Sequence, residues 1–222
     1  MKLVLLSDTH NKHRAIMVPE GDVLIHAGDS CGYGNVKEFM DFIGWFSQQP
    51  HEHKVMIAGN HDRALEKHTT RYLIPMIKDL GVHYLEDSFT NIDGIKFYGA
   101  PWQPAFCNWA FNLPRGNALK EKWDLIPNDT DVLITHGPPW AIGDTSSDNK
   151  LLGCEDLLRA VQRVEPALHI FGHIHESFGS WQHGKTLFIN ASNLNDAYHY
   201  VNQPVVVSID PTTKLVSPLV QR

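Results

Sequence analysis

The sequence predicts an α/β fold built on a largely parallel sheet, and three observations carry that prediction. Short apolar runs recur along the chain with helical patterns between them. Five of these runs end in a polar cluster introduced by Gly or centred on His: Asp8/His10, Asp29, Asn60/His61, His136 and His173/His175. The length of 222 residues fits a single domain spanning 1–222, with no linker-like tract and no internal repeat.

Taken in order, Lys2 to Leu6 is a strand-like run, cut off at once by Ser7-Asp8-Thr9-His10, and it reads as a first strand rather than a signal peptide. Asp8 and His10 are two apart, so in extended chain both face one way; the alternative is a polar loop. Asp22 to Ala27 is a second buried strand, turning at Gly28 to present Asp29, with His26 inside the apolar run as a core histidine. Asn35 to Gln49 reads as a helix, N-capped by Asn35 with Glu38 three residues on, and striped by Val36, Phe39, Met40, Ile43 and Phe46 or Trp45. His53 to Ala58 is the third strand. It runs into Gly59-Asn60-His61-Asp62, where Asn60 reads as a metal ligand and His61 as aimed at substrate, against the alternative of an ordinary polar turn.

Ala64 to Leu80 is helical but interrupted by Pro75, and Gly81 stops it. Short strands follow at Val82–Tyr84 and Ile95–Tyr98, with Asp93-Gly94 as a hairpin signal. Residues 99–116, GAPWQPAFCNWAFNLPRG, are too broken for a regular element. This aromatic loop offers Trp102, Phe106, Trp109 or Phe111 to stack a base or aryl group, unless it covers a minor core; Arg115 faces a phosphate or a surface ion pair. Ala118–Trp123 is a short helix, Asp131–Thr135 a strand ending in His136-Gly137-Pro138-Pro139, and Cys154–Val164 a helix with Leu157, Leu158 and Val161 on one face. The strand Ala167–Phe171, with His169 as a structural histidine, leads into Gly172-His173-Ile174-His175. Ser177–Trp181, Thr186–Ile189, Val205–Ile209 and Leu215–Leu219 are further short strands, expected as a late antiparallel set.

Composition narrows the function classes. No stretch is long and apolar enough to span a bilayer. The three cysteines, Cys31, Cys107 and Cys154, form no CxxC pair and support neither a disulfide framework nor a zinc knuckle, which points to a reducing, cytoplasmic setting. A net charge of −6 argues against tight binding of long nucleic acid but leaves a small phosphate ester open. The 14 histidines are the outlying number, and His serves both as metal ligand and as general acid or base.

In a largely parallel sheet, ligands bind outside the carboxyl ends of the strands, so the five clusters are expected to converge on one edge. Together they supply carboxylates, an amide oxygen and imidazoles, with no thiolate, a set that suits Mn²⁺, Fe, Zn²⁺, Co²⁺ or Ni²⁺. The donors are too many for one ion, so two divalent ions sharing a carboxylate are expected, with manganese placed first. Spacing alone does not decide which histidine is left free.

The order DxH, GD, GNHD, THGPP, GHIH resembles the calcineurin-like metallophosphoesterase superfamily, whose general motif is DxH–GDxx–GNH[DE]–GH–GHxH. The resemblance spans Asp8 to His175. The longer strings GDVLIHAGD, HKVMIAGNHD, YGAPWQPAF, FNLPRG and FGHIHE resemble the metallophosphoesterase domain-containing branch. The resemblance implies a four-layer α-β-β-α sandwich of two mixed sheets flanked by helices. It implies that Asp8, His10 and His175 hold one ion, that Asn60, His136 and His173 hold the other, and that Asp29 bridges them. It leaves His61 to stabilise the phosphoryl oxygens and protonate the leaving group, and makes Asp62 a support for His61 or its loop. A metal-bridging hydroxide would attack phosphorus in line. Cys31-Gly32 stands where many members carry a further Asp, while every ligand position is filled.

The expected function is therefore a dinuclear-metal phosphodiesterase acting on small nucleotide or aryl phosphate esters, with Trp102, Trp109 and Arg115 as substrate contacts. A nuclease or phosphomonoesterase is the alternative, and a non-catalytic scaffold with a vestigial site is a third. The expected partner is a small phosphoester, with no membrane and no tight nucleic-acid binding. Neither the oligomeric state nor the physiological substrate follows from the sequence.

Overall fold

The computed structural model describes residues 1–218, with all their side chains except those of 67–70. The strands are numbered β1–β14 and the α-helices α1–α5 along the chain. One six-stranded sheet is built from β1 (Lys2–Leu6), β2 (Val23–His26), β3 (His53–Met56), β4 (Val82–Tyr84), β13 (Val205–Ile209) and β14 (Val216–Pro218), in the order β14-β13-β1-β2-β3-β4. The second, also six-stranded, has β5 (Ser88–Ile92), β6 (Ile95–Ala100), β9 (Val132–Thr135), β10 (Leu168–Phe171), β11 (Gly179–His183) and β12 (Thr186–Asn190), in the order β11-β12-β10-β9-β6-β5. A small parallel pair, β7 (Gln103–Pro104) and β8 (Asn112–Leu113), lies within the aromatic loop.

Period-two alternation explains why the sheets stack. Leu3, Leu5, Val23, Ile25, Val55, Ile57, Val132, Ile134, Leu168 and Ile170 share one buried core between the sheets. Their neighbours Val4, Leu6, Leu24 and Met56 turn to the other face, where they pack on α1 (Val36–Ser47), α2 (Arg63–His68) and α3 (Ile74–Asp79). Tyr98, Leu133, Phe171 and Phe188 do the same on the second sheet, beneath α4 (Asn117–Trp123) and α5 (Glu155–Val164). The result is the four-layer α-β-β-α sandwich of two mixed sheets.

The differences from the sequence reading each have a physical reason. The strand pattern by itself reads as one largely parallel sheet, whereas the described residues form two six-stranded mixed sheets, as the family resemblance implied. β1, β2, β9 and β10 are buried on both faces almost throughout, so they read as mostly apolar runs, and such runs carry no label for which sheet they join. The late strands are not one antiparallel set: β11–β12 and β13–β14 are antiparallel hairpins in different sheets, and β12 is parallel to β10. Of the expected strand Leu215–Leu219, Leu219 lies outside the described residues. The Asp93-Gly94 turn, with φ of 47° and 81°, joins β6 to β5, which the sequence reading missed, while β4 pairs with β3 in the other sheet. On α1 the buried stripe is Phe39, Phe42, Ile43 and Phe46, whereas Val36 and Met40 are exposed. Asn35 caps this helix by accepting from the Glu38 amide at 3.0 Å. The Pro75 region opens with a π-helical turn at Thr69–Leu73, after which Pro75 sits in the first turn of α3, where its missing N–H costs nothing.

Candidate metal centre

The two sheets bring their carboxyl edges together, and the polar clusters meet there. The first sheet delivers Asp8 and His10 after β1, Asp29 after β2, and Asn60 and His61 after β3. The second delivers His136 after β9 and His173 and His175 after β10. A parallel bridge between Ser7 and Ser192 joins the edges. Two sets of donors follow: Asp8, His10 and His175, and Asp29, His136 and His173, each with its ligand atoms within 4.8 Å of one another. Asn60 Oδ1 lies 2.9 Å from His136 Nε2, which adds it to the second set, and Asp29 reaches both sets, 3.6 Å from His10 Nε2 and 3.4 Å from His136 Nε2. His61 also falls within 4.8 Å spacing of His10 and Asp29.

Backbone conformation and close packing aim these groups. Asp8, His10, Asp29 and His173 all have positive φ, of 54°, 36°, 57° and 69°. Asp and His tolerate that region better than most residues, and such conformations cluster at functional sites. Gly59 and Gly172 are the residues against which the carboxylates lean. A Cβ on Gly59 would come within 2.3 Å of Asp29 Oδ1, and one on Gly172 within 2.0 Å of Asp8 Oδ2.

Each of three histidines anchors Nδ1 on a backbone carbonyl: His10 on Cys31 at 3.0 Å, His136 on Ala27 at 2.9 Å and His175 on Asn195 at 2.9 Å. That hydrogen bond leaves Nε2 facing the cluster, as metal-binding imidazoles are commonly held. The electrostatics agree with a site built for positive charge. Burial would lower His136 and His175, but the charge and hydrogen bonds of Asp29 and Asp8 overcome it and lift both to about 9. Burial would raise Asp8 and Asp29, yet the histidines hold both carboxyls well below the usual range. Burial dominates at His10 and His173, pushing them down to about 4 and about 3, so they stay neutral and available as ligands. Oxygen and imidazole donors, fixed tautomers and carboxylates kept ionised fit divalent cations.

Asp62 is fully buried and accepts from Gly59 N (2.8 Å), Cys31 N (3.1 Å), Ser30 Oγ (2.7 Å) and Ser30 N (3.3 Å), so it ties the Asp29 loop to the Asn60 loop without touching the His61 ring. Its burial and the nearby Asp29 charge raise its pKa. His26 and His169 are structural, bonded to Thr9 Oγ1 and Thr135 Oγ1.

Above the donors opens a cleft of about 550 Å³, lined in part by Phe106, Trp109, Arg115, Glu176, Asp196 and Tyr198. Trp102 is not among its lining residues. Its Nε1 donates to Asp87 at 2.7 Å and Lys122 lies over its ring, so the structure places it beneath the aromatic loop and not in the cleft. Arg115 lines the cleft but donates to the carbonyls of Gly153 and Leu152 at 2.6 and 2.9 Å, rather than making the expected surface ion pair.

Sequence reasoning missed Ser192, whose Oγ donates to Asp8 Oδ2 at 2.9 Å, and Tyr198, whose ring sits 4.8 Å from that of His10. Ala191-Ser192-Asn193 follows β12 as the other clusters follow their strands. The strand-end rule reaches it, but it carries no His or Asp to draw attention.

The calcineurin-like phosphoesterase family model matches residues 1–177, from β1 through the second donor histidine of β10. The chain belongs to this family. Metallophosphoesterase domain-containing protein 1 of Homo sapiens is 41% identical over 96% of this chain and 72% of its own length. UPF0046 protein K07C11.7 of Caenorhabditis elegans is 38% identical over 96% of this chain and 77% of its own. The chain thus sits in the metallophosphoesterase domain-containing branch of a family of metal-dependent phosphoric ester hydrolases. Among solved structures, TT1561 of Thermus thermophilus superimposes with a TM-score of 0.64 at 13% identity, covering 97% of this chain and 96% of its own, which shows the shared fold. Among the described residues, no helix of this calcineurin-like phosphoesterase is long and apolar enough to cross a membrane.

Proposed function

We propose that this calcineurin-like phosphoesterase hydrolyses small phosphate diesters at a two-metal site. Asp8, His10 and His175 would hold one divalent ion and Asn60, His136 and His173 the other, with Asp29 between them. Bound there, the ions supply a water acidified enough to be a nucleophile near neutral pH, and positive charge for the phosphoryl oxygens. Manganese heads the candidates, with Fe, Zn, Co and Ni behind it, because the set mixes hard oxygen with imidazole.

His61 is the proton donor in this reading. Its Nδ1 donates to the Gly32 carbonyl, and its backbone amide donates to Asp29 Oδ1 at 2.7 Å. That leaves Nε2, on a ring that lines the cleft, to carry the proton given to the departing oxygen. Asp62 acts at one remove, by holding the Asn60–His61 turn against the Asp29 loop.

The observation that carries the diester preference is the charge of the cleft. Arg115 is the only Lys or Arg among its lining residues, and its guanidinium is already engaged on two carbonyls, while Glu176 and Asp196 add carboxylates. A diester carries one negative charge, and a monoester carries nearly two at pH 7, so the carboxylates repel a monoester more. Two exposed rings suit two ester arms: Phe106, 5.1 Å from the His173 ring, and Tyr198, 4.8 Å from the His10 ring. The same acidic lining, with the net charge of −6, gives long nucleic acid no basic track. The free cysteines fit a cytoplasmic location.

The test is kcat/KM on bis(p-nitrophenyl) phosphate against p-nitrophenyl phosphate with Mn²⁺. The diester is expected to be preferred, and Glu176→Gln with Asp196→Asn should move the ratio toward the monoester. Robust monoester turnover without diester turnover sinks the proposal.

A further inference from the structure

The aromatic loop was expected to stack a substrate ring, but the face of Trp109 is occupied within the protein. It stacks on His61 with ring centroids 4.0 Å apart and planes 24° from parallel. The guanidinium of Arg63 lies over the same indole at 4.6 Å, and Arg63 Nη2 donates to the Asn108 carbonyl at 2.7 Å. Two further bonds fasten the loop to the segment that carries His61. Ala110 N donates to the Asn60 carbonyl at 3.1 Å, and Phe111 N to Glu66 Oε1 at 2.7 Å. Residues 108–111 are therefore tied to residues 60–66 on both sides of Trp109, so indole and imidazole are set in register.

An imidazole with one ring nitrogen anchored can still rotate about χ1 and χ2. The ring of His61 is met by the Gly32 carbonyl at Nδ1, the edge of the His10 ring at 4.6 Å, the Tyr198 ring at 6.4 Å and the Trp109 face. Of these, only the indole meets the imidazole face to face.

We infer that Trp109 is a positioning residue for His61, holding the imidazole where Nε2 meets the leaving oxygen, and is not a platform for substrate. The inference rests on the reading of His61 as proton donor. It assigns the substrate-stacking task to Phe106 and Tyr198, which expose their rings to the cleft.

Leaving-group dependence separates the roles. Misplacing a proton donor harms an ester whose leaving group needs the proton and spares one whose leaving group departs as a stable anion. With the Mn²⁺-loaded full chain, Trp109→Ala is expected to lower kcat on diphenyl phosphate by about 10- to 100-fold. The loss on bis(p-nitrophenyl) phosphate should be much smaller, with KM and metal content unchanged, and Trp109→Phe should recover most of the loss. Because both residues act as one unit, adding Trp109→Ala to His61→Ala should cost little more. A readout independent of turnover is histidine-selective NMR of the metal-free protein. The His61 ring protons should be shifted upfield by the indole in wild type and lose that shift in Trp109→Ala. A rise in KM at unchanged kcat, or an equal loss on both diesters, overturns the positioning role. A missing ring-current shift overturns the stack, and a wild type inactive on both diesters overturns the reading of the site itself.

Discussion

Ser192 lies beyond the matched family residues, yet it bears directly on the first donor set. Asp8 is fully buried, and its carboxylate takes bonds from Ser192 Oγ at 2.9 Å and from His173 N at 3.0 and 3.1 Å. Ser192→Ala removes the hydroxyl and leaves a space too small to be refilled by a comparable donor. A hydrogen bond to a charged group contributes about 1.5–3 kcal/mol, and loss of a partner that orients a ligand costs roughly 10- to 100-fold in metal affinity. The two figures agree, since 1.4 kcal/mol is about tenfold. Metal-free protein titrated with Mn²⁺ in a calorimeter should show one of two sites weakened by about that factor, while the other keeps its affinity. The secondary structure by circular dichroism should be unchanged. If both sites bind as in wild type, Asp8 is not held by Ser192 in the way the geometry describes. If both weaken alike, the division into two donor sets is wrong.

His61→Ala should keep both ions by elemental analysis and lose roughly 10²- to 10⁴-fold in turnover on diphenyl phosphate; loss of an ion instead would make His61 a ligand. Saturating Mn²⁺, at about a hundred times its dissociation constant, should stabilise the chain by about 2.7 kcal/mol per independent site, a rise of at least about 5 °C in Tm for a domain of this size; an unchanged Tm would contradict the site. The metal-free protein should lose stability as pH rises from 6.5 through about 9. His136 and His175, raised to about 9 when folded, contribute fully below their ordinary value and lose that contribution as they deprotonate. Metal-loaded protein should show a flatter profile over that range, and a metal-free Tm that climbs with pH would refute the assignment. Phe42→Ala, at a fully buried ring stacked on Phe46, should cost about 3–5 kcal/mol in urea unfolding. A cost below about 1 kcal/mol would mean the α1 interface is misplaced.

The donor set was legible because the chemistry is written at strand ends. A Gly that lets a carboxylate lean on it, as Gly59 does for Asp29 and Gly172 for Asp8, leaves a recognisable string. The division into two sheets was not legible from the runs themselves, because a strand buried on both faces shows no alternation. The α1 stripe slipped because Val36 and Met40 match the helical period as well as Phe42 does, and only the packed sheet decides between them. Ser192 escaped notice because a serine carries no catalytic signature of its own. Trp109 shows the same limit: an aromatic side chain in a loop declares that it will stack, and only the fold shows that the His61 ring lies against it. The positive φ values of Asp8, Asp29 and His173 are invisible in sequence, yet they turn the strand ends inward.

The central claim is that the two sheet edges form one hydrolytic site for two ions. Its most direct test is a titration of metal-free protein with Mn²⁺ while turnover of bis(p-nitrophenyl) phosphate is followed. Activity should rise to a break at two ions per chain. A break at one ion, or no turnover with two ions bound, would contradict it.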